Sequence, residues 1–246
     1  MALFKSENVD VVGPVRSARH YFLDYALEND AIYVHFGWSP QAQSDISKYK
    51  INNINGISED GTTFWRVKDK SAPHNAVTST KKIMESAKSK KYRTTSTSSS
   101  VLNYVTDEIL LEDGIEANEV TIPHSQLQTV KYEYDSEQKV YERYARNKEQ
   151  KDWTTGNMVT TKNIIITFCD NYELTDSENK GRQGLKNTGT FDGYYITNGK
   201  AIKIKCIKNT RSSQTIYRDL QGNEIQVNDG NTFFNICPID SNVTFE

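Results

Sequence analysis

The sequence predicts an α+β protein of two domains: an N-terminal α/β layer, incomplete at its start, over residues 1–93, and a C-terminal antiparallel β-rich domain over residues 118–246. Three observations carry this expectation. Up to about residue 93, apolar side chains switch between helical spacing and short continuous runs, as they do when strands alternate with helices. From about residue 101 they alternate with period two between turn signals, the pattern of hairpins. Between the two regimes lies Thr94-Thr95-Ser96-Thr97-Ser98-Ser99-Ser100, a hydroxyl-rich run with nothing to bury, so residues 94–117 read as linker and connection. A chain of 246 residues with 11% aromatics can bury roughly 70–75% of its unfolded surface, enough for a core without disulfides or a structural metal.

In the first part, residues 1–4 read as the tail of a strand and Gly13-Pro14 as a turn. Ser17 is placed to cap a helix over residues 18–28, in which Ala18, Tyr21, Phe22 and Tyr25 make one stripe. Residues 31–36 form a nearly unbroken apolar run, expected of a strand covered on both faces. Gly37-Trp38 leads into Ser39-Pro40, a cap followed by proline in the first turn of a helix. Another helix is expected over residues 80–90, after Pro73.

In the second part, Val130, Tyr132 and Tyr134 share a face, and residues 135–139 turn the chain into a strand over 140–144. Residues 163–169 are a central-strand candidate. Residues 194–197 and 200–207 flank Asn198-Gly199, a two-residue hairpin signal, since both residues tolerate positive φ. Residues 215–218 and 224–227 flank Gln221-Gly222-Asn223 as a further hairpin. Asp229-Gly230 turns into a strand over 232–237, and residues 243–245 are a last short one. Strands at this spacing imply a sheet rolled or sandwiched on itself.

Composition narrows the function classes. Thirty Lys+Arg against 32 Asp+Glu give a net charge of −2, so the chain is not a globally basic nucleic-acid binder. No run approaches the ~20 apolar residues of a membrane helix, and residues 1–5 lack the parts of a signal peptide. Cys169, Cys206 and Cys237 form no C-x-x-C pair and read as buried side chains; a Cys206–Cys237 bridge is the alternative in an exported chain. No phosphate-binding glycine loop, nucleophile elbow or zinc-ligand spacing occurs, so no cofactor, metal or catalytic residue is assigned. The basic residues Lys81, Lys82, Lys88, Lys90, Lys91 and Arg93 read as a solvated helix face.

The candidate chemistry lies in three segments. Arg16 and Arg19 flank Ser17 at an expected helix start, where guanidiniums and free amides can hold a phosphate or carboxylate. The alternative pairs both arginines with acids such as Asp10 or Asp24. His35 and Ser39 stand at the expected carboxyl end of a strand, where ligands sit in open α/β layers; the alternative is a core histidine and an ordinary cap. Trp65, Arg66, His74 and Asn75 could wall a pocket and supply donors, or form a packed loop.

These residues also carry a resemblance. Gly13-Pro14-Val15-Arg16-Ser17-Ala18-Arg19, Tyr33-Val34-His35 with Gly37, Ser39 and Pro40, Phe64-Trp65-Arg66 and Ala72-Pro73-His74-Asn75 resemble the YerB-like lipoproteins, a bacterial family described as a domain of unknown function. The second half is similar in Tyr132-Glu133-Tyr134-Asp135, Lys162-Asn163, Asn198-Gly199, Gly222-Asn223-Glu224-Ile225 and Asn228-Asp229-Gly230-Asn231-Thr232-Phe233. The resemblance implies an α/β domain followed by a β-rich one, and an extracytoplasmic protein tethered by a lipid on an N-terminal cysteine. It brings no activity. Family members carry an export signal, that cysteine and further segments before the strand ending here at Phe4, so the resemblance reads this chain as truncated at its N-terminus. The expected location is therefore extracytoplasmic and membrane-anchored by resemblance, with the cytoplasm as the alternative expectation for the product as written.

The resulting expectation is a non-catalytic envelope module. Arg16, Ser17 and Arg19 would hold the charge of a small anionic or peptide-like ligand, with His35, Ser39, Trp65, Arg66, His74 and Asn75 around it. Membrane contact would come only through the lipid, an envelope protein is a further expected partner, and nucleic acid is not expected. The rival is an envelope enzyme in which the arginines clamp a phosphoryl or glycan group and His35 or His74 moves protons. A third reading is a protein-interaction scaffold, in which both arginines would be fully paired and closed to solvent.

Overall fold

The computed structural model describes residues 1–5, 7–96, 98–176, 178 and 180–246. They fall into two compact units, Met1–Ser100 with Arg211–Gln214, and Val101–Thr210 with Thr215–Glu246.

The first unit contains α1 (His20–Glu28), β1 (Tyr33–His35), α2 (Pro40–Lys48), β2 (Asn53–Asn55), the single turn α3 (Gly56–Glu59), β3 (Trp65–Arg66), β4 (Ala76–Val77) and α4 (Thr80–Ser89). β1 pairs in parallel with β2, and β3 with β4 in antiparallel. Residues 12–18 run between the two pairs. Val12 bridges Thr78 and the Val15 amide donates to Ala76 O at 2.8 Å; on the other side the Phe36 amide donates to Arg16 O at 2.9 Å and Ala18 bridges Trp38.

Alternation along β1 sorts its neighbours. Tyr33 packs with α1 and α2 through Leu23, Ala26, Ala42 and Ile46, whereas Val34 and Phe36 pack with Ala87 and Ile83 of α4 and with Ile54 and Phe64. The strand is covered on both faces, as its apolar run requires.

The local chemistry of this unit departs from expectation at its start. Residues 1–4 form no strand. Gly13-Pro14 does not reverse the chain, because Val12 and Val15 are both hydrogen-bonded to the 76–78 segment. Ser17 is not a cap: α1 begins at His20, with Arg19 at the N-cap position and no side-chain cap bond. The reason is that residues 16–18 are held extended against 36–39, so the helix starts only beyond that pairing. Its buried positions are accordingly Leu23, Asp24, Ala26 and Glu28, not the expected stripe.

Ser39 does cap α2. Its hydroxyl accepts from the Ala42 amide at 3.2 Å, with Pro40 at the first helical position. Ser39→Ala should lower stability by about 1 kcal/mol, read as a shifted denaturant midpoint at unchanged slope. Ser79 caps α4 in the same way, accepting from the Lys82 amide at 3.2 Å. The hydroxyl-rich run is exposed where described; Thr97 lies outside the described residues.

The second unit is built of strands. In chain order they are β5 (Asn103–Val105), β6 (Ile115–Glu116), β7 (Glu119–Ser125), β8 (Gln128–Asp135), β9 (Val140–Ala145), β10 (Lys148–Glu149), β11 (Thr160–Thr161) and β12 (Asn163–Cys169). β13 (Asn171–Glu173), β14 (Gln183–Leu185), β15 (Gly189–Thr197), β16 (Lys200–Lys208), β17 (Ile216–Arg218), β18 (Gln226–Asn228), β19 (Thr232–Pro238) and β20 (Thr244–Phe245) follow. One sheet has the order β10-β9-β8-β7-β20, with β11 also on β9; the other has the order β17-β16-β15-β12-β19, with β6 also on β16. Two strands within the 94–117 span, β5 and β6, thus belong to this unit.

Val120, Ile122, Val130, Tyr132 and Tyr141 of the first sheet bury against Ile164, Ile166, Ile196 and Cys237 of the second, a face-to-face sandwich. On the opposite face of the second sheet, Ile165, Tyr195, Ile204, Cys206 and Tyr217 are covered by Leu102, Ile225 and Val227. β12 is therefore central and buried on both sides. Asn198 and Gly199 turn the β15–β16 hairpin with φ of 50° and 73°. Close approach explains Gly193 within that sheet, since a Cβ there would lie 2.2 Å from Ile166 O.

Two expectations are corrected here, and the alternative of a Cys206–Cys237 bridge falls away. The unit is not purely antiparallel, because β19 runs parallel to β12 and β18 parallel to β5. The hairpin expected around Gln221-Gly222-Asn223 forms only next to its turn, through the Arg218–Glu224 bridge and the bonds from the Asp219 amide to Asn223 O and from the Ile225 amide to Tyr217 O, and beyond it β18 pairs with β5. Cys206 and Cys237 lie in the clusters on opposite faces of one sheet, and all three cysteines are free and buried. Burial pushes the Cys169 thiol up to about 11 and those of Cys206 and Cys237 to about 12, so they stay protonated at neutral pH.

Candidate functional site

The start of β4 is where candidate side chains meet. Residue 76 pairs with Arg66 of β3 on one side and accepts from the Val15 amide on the other, so Arg66 and Arg16 reach the 74–75 turn from opposite flanks. Arg16 Nη1 donates to His74 Nδ1 at 2.8 Å, and both side chains are exposed. Arg66 donates through Nη1 to Asn75 Oδ1 at 3.0 Å and through Nε and Nη2 to Asp60 Oδ2 at 3.2 and 3.0 Å. Its guanidinium also lies 4.3 Å from the centre of the Phe36 ring. The Arg66–Asp60 pair is well exposed, 38% and 41%, and contributes about 1 kcal/mol or less.

Charge is distributed unequally over this surface. Arg66 has its carboxylate. Arg16 forms no ion pair with any described residue, and neither does Arg19. Of the two acids expected as their alternative partners, Asp24 is held by Arg211 Nε at 2.7 Å instead, and Asp10 pairs with neither arginine. Arg16 therefore presents an uncompensated positive charge in water, next to an imidazole.

The other sequence candidates do not join it. Ser17 Oγ donates to Phe36 O at 3.2 Å, and the Arg19 guanidinium folds back onto Ala18 O at 3.0 Å and Ser17 O at 3.4 Å. His35 is fully buried, with Nδ1 2.8 Å from Gly37 O and Nε2 3.1 Å from Asn53 Oδ1, between the rings of Tyr33 and Trp38. Ser39 is buried as the α2 cap, and Trp65 is half-buried in β3. Four of the nine candidates, Arg16, Arg66, His74 and Asn75, thus share one surface. Asp60 and Phe36 complete it. Phe36 was visible only as the end of an apolar run, and no local pattern marks Asp60.

Elsewhere in this unit, an open polar cavity of about 420 Å³ is lined by Ser58, Glu59, Thr62, Thr63, Glu85, Ser86, Ser89 and Lys90. Burial alone would raise the Glu59 carboxyl, but hydrogen bonds from Ser86, Thr63 and Lys90 outweigh it and hold the group below its ordinary range. Lys90 of the basic helix face lines this cavity, and none of the nine candidate site residues does. Among the described residues no cluster of three or more His, Cys, Asp or Glu could hold a metal ion, and no helix is long and apolar enough to cross a membrane.

Comparison with known proteins agrees with this architecture. Residues 1–93 match the model for the N-terminal domain of the protein of unknown function DUF3048, and residues 120–234 match that for its C-terminal domain. The Bacillus subtilis (strain 168) protein "Putative lipoprotein YerB" is 27% identical over 246 aligned residues, covering 97% of this chain and 70% of that protein. The crystal structure of the YerB protein from Bacillus subtilis superposes with a TM-score of 0.84 at 27% identity, covering 98% of this chain and 80% of that one. Two family domains in the order of the two structural units, with a similar protein spanning nearly the whole length, assign the chain: it belongs to the DUF3048 family.

Proposed function

We propose that the chain is the extracytoplasmic part of a lipid-anchored envelope protein that binds an anionic or peptide-like ligand at Arg16 and His74, with Arg66 and Asn75 beside them. The location is supported by the lipoprotein designation of the Bacillus subtilis relative. The observation that carries ligand binding is the exposed Arg16 guanidinium, hydrogen-bonded to His74 and without a carboxylate among the described residues. A phosphate or carboxylate oxygen gains charge-assisted bonds there at little desolvation cost. The enzyme reading has less support, because His35 is sealed inside the sheet and His74 meets a guanidinium rather than a hydroxyl or carboxylate. The scaffold reading required both arginines to be paired and closed to solvent, and Arg16 is neither.

Calorimetric titration with inorganic phosphate and with an N-acetylated acidic dipeptide tests the proposal. Saturable binding that falls about tenfold in Arg16→Ala/His74→Ala supports it. No binding of either probe, or equal binding to the variant, overturns it.

A further inference from the structure

The β unit holds a second cationic group, and this one faces inward. Along β9 the core-facing positions are Tyr141, Arg143 and Ala145, opposite Tyr134, Tyr132 and Val130 of β8. Along β19 they are Phe233, Asn235 and Cys237, and β7 adds His124 after Val120 and Ile122. Apolar residues fill most of these places. At 143, 235 and 124 the pattern breaks together, and the three side chains gather at one place between the sheets. Arg143 Nε donates to Tyr132 Oη at 3.2 Å, and Asn235 Nδ2 lies 3.3 Å from the same oxygen. His124 Nδ1 is 3.9 Å from Cys237 Sγ, and its ring is also hydrogen-bonded to Asn235.

An inward arginine usually answers a carboxylate. Arg143 answers none among the described residues. Its guanidinium lies 5.8 Å from the centre of the Tyr132 ring and 5.3 Å from that of Phe233, and Nε is its atom bonded within the protein. A half-buried cation whose two Nη groups have no hydrogen-bond partner among the described residues, with aromatic rings on its flank, is built like a receptor for a planar oxyanion. We propose that Arg143 and His124 bind a carboxylate carried on an apolar body, with the carboxylate on the guanidinium and the apolar body against Phe233. Burial, with the Arg143 charge as a smaller cause, holds His124 below its ordinary value, while its bonds to Asn235 and Ile236 push the other way. Among the described residues, Cys237 lies against this imidazole and Tyr132 is linked to it through Asn235; burial raises both, so both are neutral at pH 7. A bound anion would then be the local negative charge, and would raise the His124 titration midpoint.

The test is an NMR titration of the full chain with N-acetylphenylalanine, acetate and inorganic phosphate, following the His124 ring resonances. N-acetylphenylalanine should bind in the millimolar range, at least about tenfold tighter than acetate or phosphate, and move the His124 midpoint upward. Arg143→Gln should weaken binding about tenfold or more, and Arg16→Ala should leave it unchanged, which separates this site from the surface of the first unit. Should Arg143→Gln not fold, Phe233→Leu keeps the charge and should reduce the preference for N-acetylphenylalanine over acetate. No perturbation of His124 by any probe up to about 20 mM, or equal affinity for phosphate and N-acetylphenylalanine, overturns the assignment.

Discussion

Arg211→Ala should cost the first unit about 3 kcal/mol, lowering its unfolding midpoint by on the order of 10 °C. Arg211 lies in the four-residue segment Arg211–Gln214 that belongs to this unit although it is distant in sequence. Its Nε donates to Asp24 Oδ1 and its Nη2 to Asp45 Oδ2, each at 2.7 Å, and Nη2 also reaches His20 O at 3.3 Å. The Asp24 side chain is 3% exposed and that of Asp45 16%, so removing the cation leaves two like charges facing each other with little water to screen them. That penalty, rather than the intrinsic worth of the pair, sets the size of the effect. Arg211→Lys should recover part of the loss, because an ammonium keeps the charge without the fork that spans both acids. Adding Asp24→Asn to Arg211→Ala should also recover part of it. A second readout follows from His20, whose pKa burial and, less strongly, Arg211 hold below its ordinary value; it should rise in Arg211→Ala. A thermal midpoint unchanged within about 2 °C would contradict this account.

Asn228→Ala should destabilise the second unit by about 2–4 kcal/mol. Asn228 is 2% exposed and sits where β18 ends. Its side chain accepts from the Ile109 amide at 2.7 Å and donates to Ile109 O and to Thr197 Oγ1, each at 3.0 Å. Its backbone amide donates to Tyr195 Oη, which in turn donates to Asn163 Oδ1, and Asn163 Nδ2 returns to Asn228 O at 2.8 Å. That circuit uses only the backbone of Asn228, so truncating the side chain leaves it closed but orphans the Ile109 amide and takes one donor each from Ile109 O and Thr197 Oγ1. Hydrogen exchange reports the cause: the Ile109 amide should lose protection in Asn228→Ala far beyond the global change. Asn228→Asp retains the acceptor and loses both Nδ2 donations, so it should not restore stability. Retained protection at Ile109 would show that the Asn228 side chain is not what holds that loop.

Much of the architecture was legible because it follows from short-range chemistry. The run at residues 31–36 gave a strand with helices packed on both sides, Ser39-Pro40 a capped helix, and Asn198-Gly199 a hairpin turn. Each depends on a side chain acting on its own backbone or on one periodic face. Ser17 failed as a cap for the opposite reason. Its competitor was the pairing of residues 16–18 with 36–39, and no local pattern records a partner nineteen residues away. Parallel pairing of β19 with β12 and of β18 with β5 was hidden in the same way, since alternation tells which face a residue takes but not the direction of its neighbour.

The candidate site divides along that line as well. Residue types alone marked Arg16, Arg66, His74 and Asn75 as potential donors, and family motifs placed them in one order along the chain. Which donors share a surface was decided by strand pairing around residue 76, and which are spent internally by burial: His35 went inside with its strand, Ser39 into its cap. Composition and period thus determined the two kinds of domain, the elements with local signals and the residues capable of chemistry. Pairing direction, the acids held by Arg211 and the inward position of Arg143 were settled only in three dimensions, because they depend on contacts between residues far apart in sequence.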